Sequence, residues 1–199
     1  MDAVAAEYRK WRDDVLTETC SRLQNYVQEN MIGIPRIDRI SARVKGEASF
    51  AAKAGKLSDG SLKYDDPLRE IQDVIGLRIV VFYRQDVAAI SQIVESLFRH
   101  VERRLIEPES DSDFSYFGQH YVCFLPEDVQ LDEADVQPTY FELQIKTLFQ
   151  HAWSEANHDL GYKSEEGLSP EQKRLLAFAS AQAWGGDRAF EELFDLLRR

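Results

Sequence analysis

Three cations and a hydroxyl are crowded into one short stretch, "RVKGEASFAAK", residues 43 to 53. Arg43 and Lys45 alternate on what reads as a strand and share a face, while Ser49 and Lys53, four apart on the helix that follows, share another. With the helix N-terminus as a further anion site, this set can cradle a triphosphate. The alternative is a solvated basic face, the usual fate of a charge run. Asp73 stands just ahead of the apolar run "VIGLRIVV", and Glu142 lies inside "YFELQIKT", between Phe141 and Leu143 with Gln144 on its own face. A carboxylate in a sheet interior is costly unless it is paired or metal-bound. Two of them on neighbouring strands would suit a Mg²⁺ ion bridging phosphate oxygens, with one also free to take a proton. The alternative for each is a solvated strand face, or an ion pair with Arg78 or Lys146. Tyr116 and His120 flank Gly118, and a ring on a loop beside a glycine can stack on a nucleobase; a core tyrosine and a hydrogen-bonded histidine are the plainer reading. His158 and Asp159 invite a metal-phosphohydrolase reading, but a chain with four histidines and no second ligand cluster does not sustain it.

These side chains need a scaffold, and the hydrophobic periodicity supplies one. Val4, Tyr8, Trp11, Val15, Leu23 and Val27 recur at helical spacing, which predicts one long amphipathic helix over residues 2–30, ended by "GIP" at Gly33 to Pro35. Ile40, Ala42 and Val44 alternate as a strand before the pattern turns helical at Glu47. "LSDGSLKYDDP" reads as a mobile loop. A buried strand over "GLRIVVFY", an amphipathic helix over "DVAAISQIVESLFRH" and a strand over "VERRLIE" follow. An acidic loop leads to a strand in "YFGQHYVCFLP", then a last strand in "TYFELQIKT" and a helix from about Leu148 to Gly161. Pro170 to Arg199 reads as two short helices broken at Gly185 and Gly186. The order predicts an α+β fold, a mixed sheet of about five strands flanked by helices, in one domain over residues 1–199 with its catalytic core at 36–163.

Bulk composition narrows the classes. At 44% hydrophobic and 11% aromatic residues the chain has the composition of a globular protein. No apolar run approaches the roughly 20 residues of a membrane span, and the charged N-terminus does not read as a signal peptide, which predicts a cytosolic protein with no membrane partner. Cys20 and Cys123 are far apart, without zinc-type spacing. The net charge of −11 argues against non-specific binding to nucleic acid or anionic lipid. Yet residues 36–63 carry seven cations against three acids, which points to a small anionic ligand held at one place.

Taken together, four blocks resemble the synthetase domain of the RelA/SpoT family, above all its short single-domain alarmone synthetases. "RVKGEASFAAK" resembles the ATP-binding block; "IQDVIGLRIVV" resembles the Asp-x-x-Gly-x-Arg strand; "FSYFGQHYV" resembles the loop whose tyrosine stacks on guanine; "FELQIKTLFQHAWSEANHDLGYK" resembles the Glu-x-Gln-Ile-Arg-Thr strand and the helix after it. The resemblance implies a nucleotidyltransferase-like fold and transfer of the β,γ-pyrophosphate of ATP to a 3′-hydroxyl of GDP or GTP. It implies that Arg43, Lys45, Ser49 and Lys53 hold the ATP phosphates, with Arg43 also offered to adenine. Asp73 would bind Mg²⁺, and Glu142 would bind Mg²⁺ or take the acceptor proton. Tyr116 would face the acceptor base, with His120 and Gln144 near the acceptor or its sugar. Such chemistry asks the protein for positioning and charge neutralisation. No hydrolase block precedes the synthetase motifs, which implies a chain that makes its product without degrading it.

The chain also departs from the family pattern. Ser115, Phe117 and Gly118 replace the usual residue types ahead of the histidine, and Lys146 replaces an arginine, losing its bidentate fork. Between Ile106 and His120, where guanosine-binding members supply cations, stand Glu107, Glu109, Asp111 and Asp113. Three readings therefore stand: an alarmone synthetase whose acceptor phosphates are met by cations elsewhere; the toxic branch that pyrophosphorylates the tRNA 3′ end, with a neutralising antitoxin as partner; and a catalytically weak nucleotide-binding regulator. The apolar residues of the C-terminal segment, from Leu175 to Leu196, serve either a monomer core or the interface of a homo-oligomer.

Overall fold

The computed structural model describes residues 2–106, 118–131, 134, 136–163 and 168–198. Its N-terminal helix is continuous as the periodicity predicts, but it is composed of α1 (Asp2–Trp11), a π-helical turn (Arg12–Leu16) and α2 (Thr17–Asn30). The wider turn is stabilised by Thr17 Oγ1, which donates to Arg12 O at 2.8 Å. It re-phases the helix so that Tyr8 and Trp11 before it and Leu16, Leu23 and Val27 after it all reach the core.

Strand β1 (Ile37–Val44) runs into α3 (Glu47–Ala54). The segment read as a loop instead forms a small hairpin, β2 (Leu57–Ser58) and β3 (Ser61–Leu62), followed by the short helix α4 (Pro67–Glu70). Asp59 and Gly60 form its two-residue turn with φ of 52° and 84°, the left-handed pair that a tight hairpin requires. Then come β4 (Ile75–Val81), α5 (Arg84–Leu97), β5 (His100–Ile106), β6 (Gly118–Phe124), β7 (Tyr140–Thr147), α6 (Leu148–Lys163) and α7 (Pro170–Leu197). Strands β1, β4, β7, β6 and β5 form one mixed sheet in that order, with β4 and β7 parallel at its centre and the other pairs antiparallel. This is the α+β sheet that the pattern predicts.

Alternation sorts the sheet into two faces. Ile75, Leu77, Ile79 and Val81 of β4 and Phe141, Leu143 and Ile145 of β7 are buried in one cluster with Tyr8, Leu16, Leu23, Phe50, Ile90 and Val94 from the helices. The opposite face carries Gly76 and Arg78 of β4 and Glu142 and Gln144 of β7, partly covered by α6.

The expectation of two short C-terminal helices is corrected: α7 is a single helix of 28 residues that passes through Gly185 and Gly186. Gly186 is a contact and not a break, because a Cβ there would stand 2.7 Å from the Phe149 ring of α6. Among the described residues, no helix is long and apolar enough to cross a membrane.

Candidate active site

Strand register lays two rows of side chains across the open face of the sheet. One row reads Arg43, Gly76, Glu142; the other reads Ser41, Arg78, Gln144, His120, Arg104. A Cβ on Gly76 would meet nothing within 4 Å, so the glycine keeps the space between Arg43 and Glu142 open. Around that gap lies a cleft of about 530 Å³ lined by Arg39, Arg43, Lys45, Ser49, Asp73, Arg78, Glu142, Gln144, His151 and Glu155, among others. The structure thus gathers Arg43, Lys45, Ser49, Asp73, Glu142 and Gln144 at one place. Lys53 and His120 reach it through their acid partners, and Tyr116 lies outside the described residues.

Lys45 is fixed from both sides of the chain. Its N–H donates to Val74 O at 2.8 Å, and its carbonyl accepts the Tyr8 hydroxyl at 2.7 Å. Tyr8 in turn stacks on Phe50 of α3 at 3.8 Å between ring centroids, so α1 braces the junction of β1 and α3. The Lys45 and Lys53 ammoniums both reach Asp73 Oδ2, at 2.7 and 2.9 Å. Burial pushes the Asp73 carboxyl up, but the two lysine hydrogen bonds and charges outweigh it and hold the group below its usual range. These cations are oriented by a carboxylate, not spread over a solvated face.

Glu142 accepts Gln144 Nε2 at 2.7 Å through Oε2, and its Oε1 lies 3.5 Å from His120 Nδ1. Burial again raises the carboxyl, while His120 and the Gln144 hydrogen bond prevail and lower it. The group is therefore ionised at neutral pH and able to accept a proton. Neither alternative partner takes it: Arg78 pairs with Glu155, and Lys146 Nζ donates to Ser154 Oγ at 3.1 Å.

From the sequence Arg78 is only an alternative ion-pair partner for Asp73 or Glu142, and His151 and Glu155 carry no individual signal. Arg78 Nη1 lies 3.1 Å from His151 Nδ1 and donates to Glu155 Oε1 at 2.5 Å, which ties the wall of the cleft to α6. His151 and Glu155 are four apart on a helix, a legible common face, but its apposition to Arg78 depends on where α6 crosses the sheet. Three buried atoms around the cleft have no hydrogen-bond partner: Asp73 Oδ1, Arg78 Nε and Gln144 Oε1. Orphaned buried polar atoms are rare, and a bound water, ion or ligand is one source of the missing partner.

The donor set can be tested against a metal. Among the described residues no three His, Cys, Asp or Glu side chains are grouped to hold an ion by themselves. Asp73 and Glu142 feel each other's charge, and Asp73 keeps one buried oxygen unpartnered. This fits a hard cation that takes one or two carboxylates and completes its shell with water and substrate phosphates, as Mg²⁺ does.

Comparison with known proteins bears on the family and the fold. Residues 42–167 match the region found in RelA / SpoT proteins. GTP pyrophosphokinase YjbM of Bacillus subtilis (strain 168) is 29% identical over 162 residues, covering 79% of this chain and 72% of that protein. Small alarmone synthetase 1 of Bacillus subtilis, in its structure bound to its product pppGpp, superposes with a TM-score of 0.78 at 22% identity, over 98% of this chain and 100% of that one. A GTP pyrophosphokinase family protein from Streptococcus pneumoniae gives a TM-score of 0.78 at 22% identity, over 96% and 94% of the two chains. At that identity, the superpositions establish a shared fold.

Proposed function

We propose, from the premise that this chain belongs to the RelA/SpoT family, that it is an ATP-dependent pyrophosphokinase acting on the 3′-hydroxyl of GDP or GTP. The names of its relatives, a GTP pyrophosphokinase and small alarmone synthetases, support the reaction class. The observation that carries the reading is one cleft that Asp73, Gly76 and Glu142 all line, with Lys45 and Lys53 held on Asp73 and with Gln144 and His120 held on Glu142.

In this reading Arg43, Lys45, Ser49 and Lys53 hold the triphosphate, and the rigid strands fix the reacting atoms. The acceptor's 3′ oxygen bonds to the β-phosphorus of ATP, the bond from that phosphorus to the α,β-bridging oxygen breaks, and AMP leaves. The hydroxyl proton goes to Glu142, whose carboxylate is held ionised and aimed by Gln144 and His120. A bound Mg²⁺ would be held by Asp73 and Glu142 and would neutralise charge developing on the phosphate oxygens. The acceptor's own phosphates find no cation from Ile106 to His120 in the sequence. Arg104 would take that part by exchanging its partner Glu102 for phosphate, since it is paired with His120 in the β5 and β6 register.

The test supplies γ-labelled ATP and Mg²⁺ with GDP, GTP or bulk tRNA in parallel, to the wild type and to Glu142→Gln. Label on GDP or GTP, lost in Glu142→Gln while ATP binding persists, is the expected result. Label on tRNA alone would move the chain to the tRNA-modifying branch. ATP binding without transfer to any acceptor would leave a nucleotide-binding regulator.

A further inference from the structure

The end of the catalytic strand is held from outside the cleft. Thr147, the last residue of β7, is buried; its Oγ1 accepts the Gln150 N–H at 3.1 Å, and its own N–H donates to Gln150 Oε1 at 3.0 Å. This is a reciprocal Thr-x-x-Gln box at the start of α6. With one lone pair engaged by Gln150, the Thr147 hydroxyl directs its proton to Asp187 Oδ2 of α7, 2.8 Å away. Asp187 is 4% exposed. The neighbouring residues of α7 clasp the same elbow: Gly186 makes room for the Phe149 ring, and Phe190 packs on that ring at 5.7 Å between centroids.

A buried carboxylate is an expensive way to join two helices, and an apolar residue would pack there at less cost. What the carboxylate adds is direction, because it fixes one hydroxyl and with it the first turn of α6. From that turn His151 reaches Arg78 in the cleft, and Glu155 does so one turn later. Helix α6 is thus pinned at its start by α7 and along its length by a cleft arginine. The charges nearest Asp187 are Arg84 of α5 and Glu191 of α7, which pair with each other at 3.7 Å.

We infer that Asp187 is a positioning residue of the nucleotide cleft: by accepting the Thr147 hydroxyl it sets the angle at which α6 leaves β7, and so holds His151 and Glu155 on Arg78. The inference rests on the assignment of the cleft to ATP made above. It makes α7 the outer half of a lever whose inner half is the cleft wall.

The test uses the full chain with Asp187→Asn, Asp187→Ala, Thr147→Val and, as a control for lost stability alone, Val27→Ala in α2. Two readouts are followed: KM for ATP against kcat, and the NMR titration of the His151 ring, which needs no nucleotide. The carboxamide of Asp187→Asn still accepts the Thr147 hydroxyl, so this variant behaves as wild type in both. Asp187→Ala and Thr147→Val raise KM for ATP roughly tenfold or more with a much smaller change in kcat. They also return the His151 titration, held down by burial and by Arg78, toward that of an ordinary histidine. Val27→Ala lowers the melting temperature and moves neither readout. A folded Asp187→Ala or Thr147→Val with wild-type His151 titration overturns the inference, as does an Asp187→Asn as impaired as the alanine variant. A wild type that does not bind ATP would refute the cleft assignment instead, while the His151 titration still decides the lever.

Discussion

Lys146 gives the most quantitative prediction. It is 3% exposed on β7, and its ammonium donates to Ser154 Oγ at 3.1 Å. Burial pushes its pKa from 10.5 down to about 7; the charges of Arg78 and Arg43 press the same way, and those of Glu155 and Glu142 oppose it. The folded chain therefore releases a proton that the unfolded chain keeps between about pH 7 and 10.5, so stability rises with pH across that window. Below it, the whole penalty is present, as much as ~5 kcal/mol at ~1.4 kcal/mol per pK unit. Lys146→Met keeps the length, removes the charge and gives up the Ser154 hydrogen bond, a contribution of about 1 kcal/mol. The variant should be more stable than wild type at about pH 6, and its advantage should shrink by about 2–3 kcal/mol on going to about pH 9. Urea unfolding of both proteins at several pH values measures this directly. A difference between the two that does not change with pH would refute the reasoning, because it would mean that Lys146 stays protonated in the fold.

Two further predictions concern α7. Gly186→Ala should gain about 1 kcal/mol of helix propensity and lose more to overpacking against Phe149, for a net loss of about 1–2 kcal/mol in urea unfolding; a stabilised variant would show that the contact yields freely. Burial pushes the Asp187 carboxyl from 3.8 up to about 6, against the Thr147 hydrogen bond and Arg84, so its contribution to stability is present in acid and is lost as pH rises through about 6. Asp187→Asn should therefore gain on wild type by about 2 kcal/mol between about pH 4.5 and 7.5, and a gain that does not grow over that range would place the carboxyl's titration elsewhere.

The sheet and most of the helices were legible because their periods are clean. Ile40, Ala42 and Val44 alternate before Glu47, and β4 is a nearly continuous apolar run between turn residues. The misreadings came from treating glycine as punctuation. Gly186 lies inside a helix because another side chain needs its space, and that neighbour, Phe149, is 37 residues away in sequence. The hairpin at Asp59 and Gly60 carried a local signal, an Asp-Gly pair between short flanks, that composition alone blurred into a loop. At the site, Asp73 and Glu142 stood out because carboxylates beside apolar strands demand partners. Arg78, His151 and Glu155 did not, since their meeting depends on β7 adding parallel to β4 and on α6 turning back across both. The Thr147 and Gln150 box was readable in sequence, whereas its outer anchor, 40 residues on, was not.

The charge arrangement bears on how so acidic a chain would hold a polyphosphate, as the proposed function requires. The net charge is −11, yet the cleft is lined by Arg39, Arg43, Lys45 and Arg78 against Asp73, Glu142 and Glu155. Physiological salt screens the distant acids within ~8 Å, so attraction must come from cations already in place. The three cleft carboxylates offset much of that local charge, which leaves the protein alone a poor match for a triphosphate and makes a divalent ion carried in with the nucleotide the natural complement. Asp73 is central to that balance. One of its oxygens holds Lys45 and Lys53 together, and the other is buried and unpartnered. On the proposed function, the carboxylate that gathers the cations for the donor would also take the ion that comes with it, which gives a reason for the residue to stand at the mouth of β4 and not on the solvated surface.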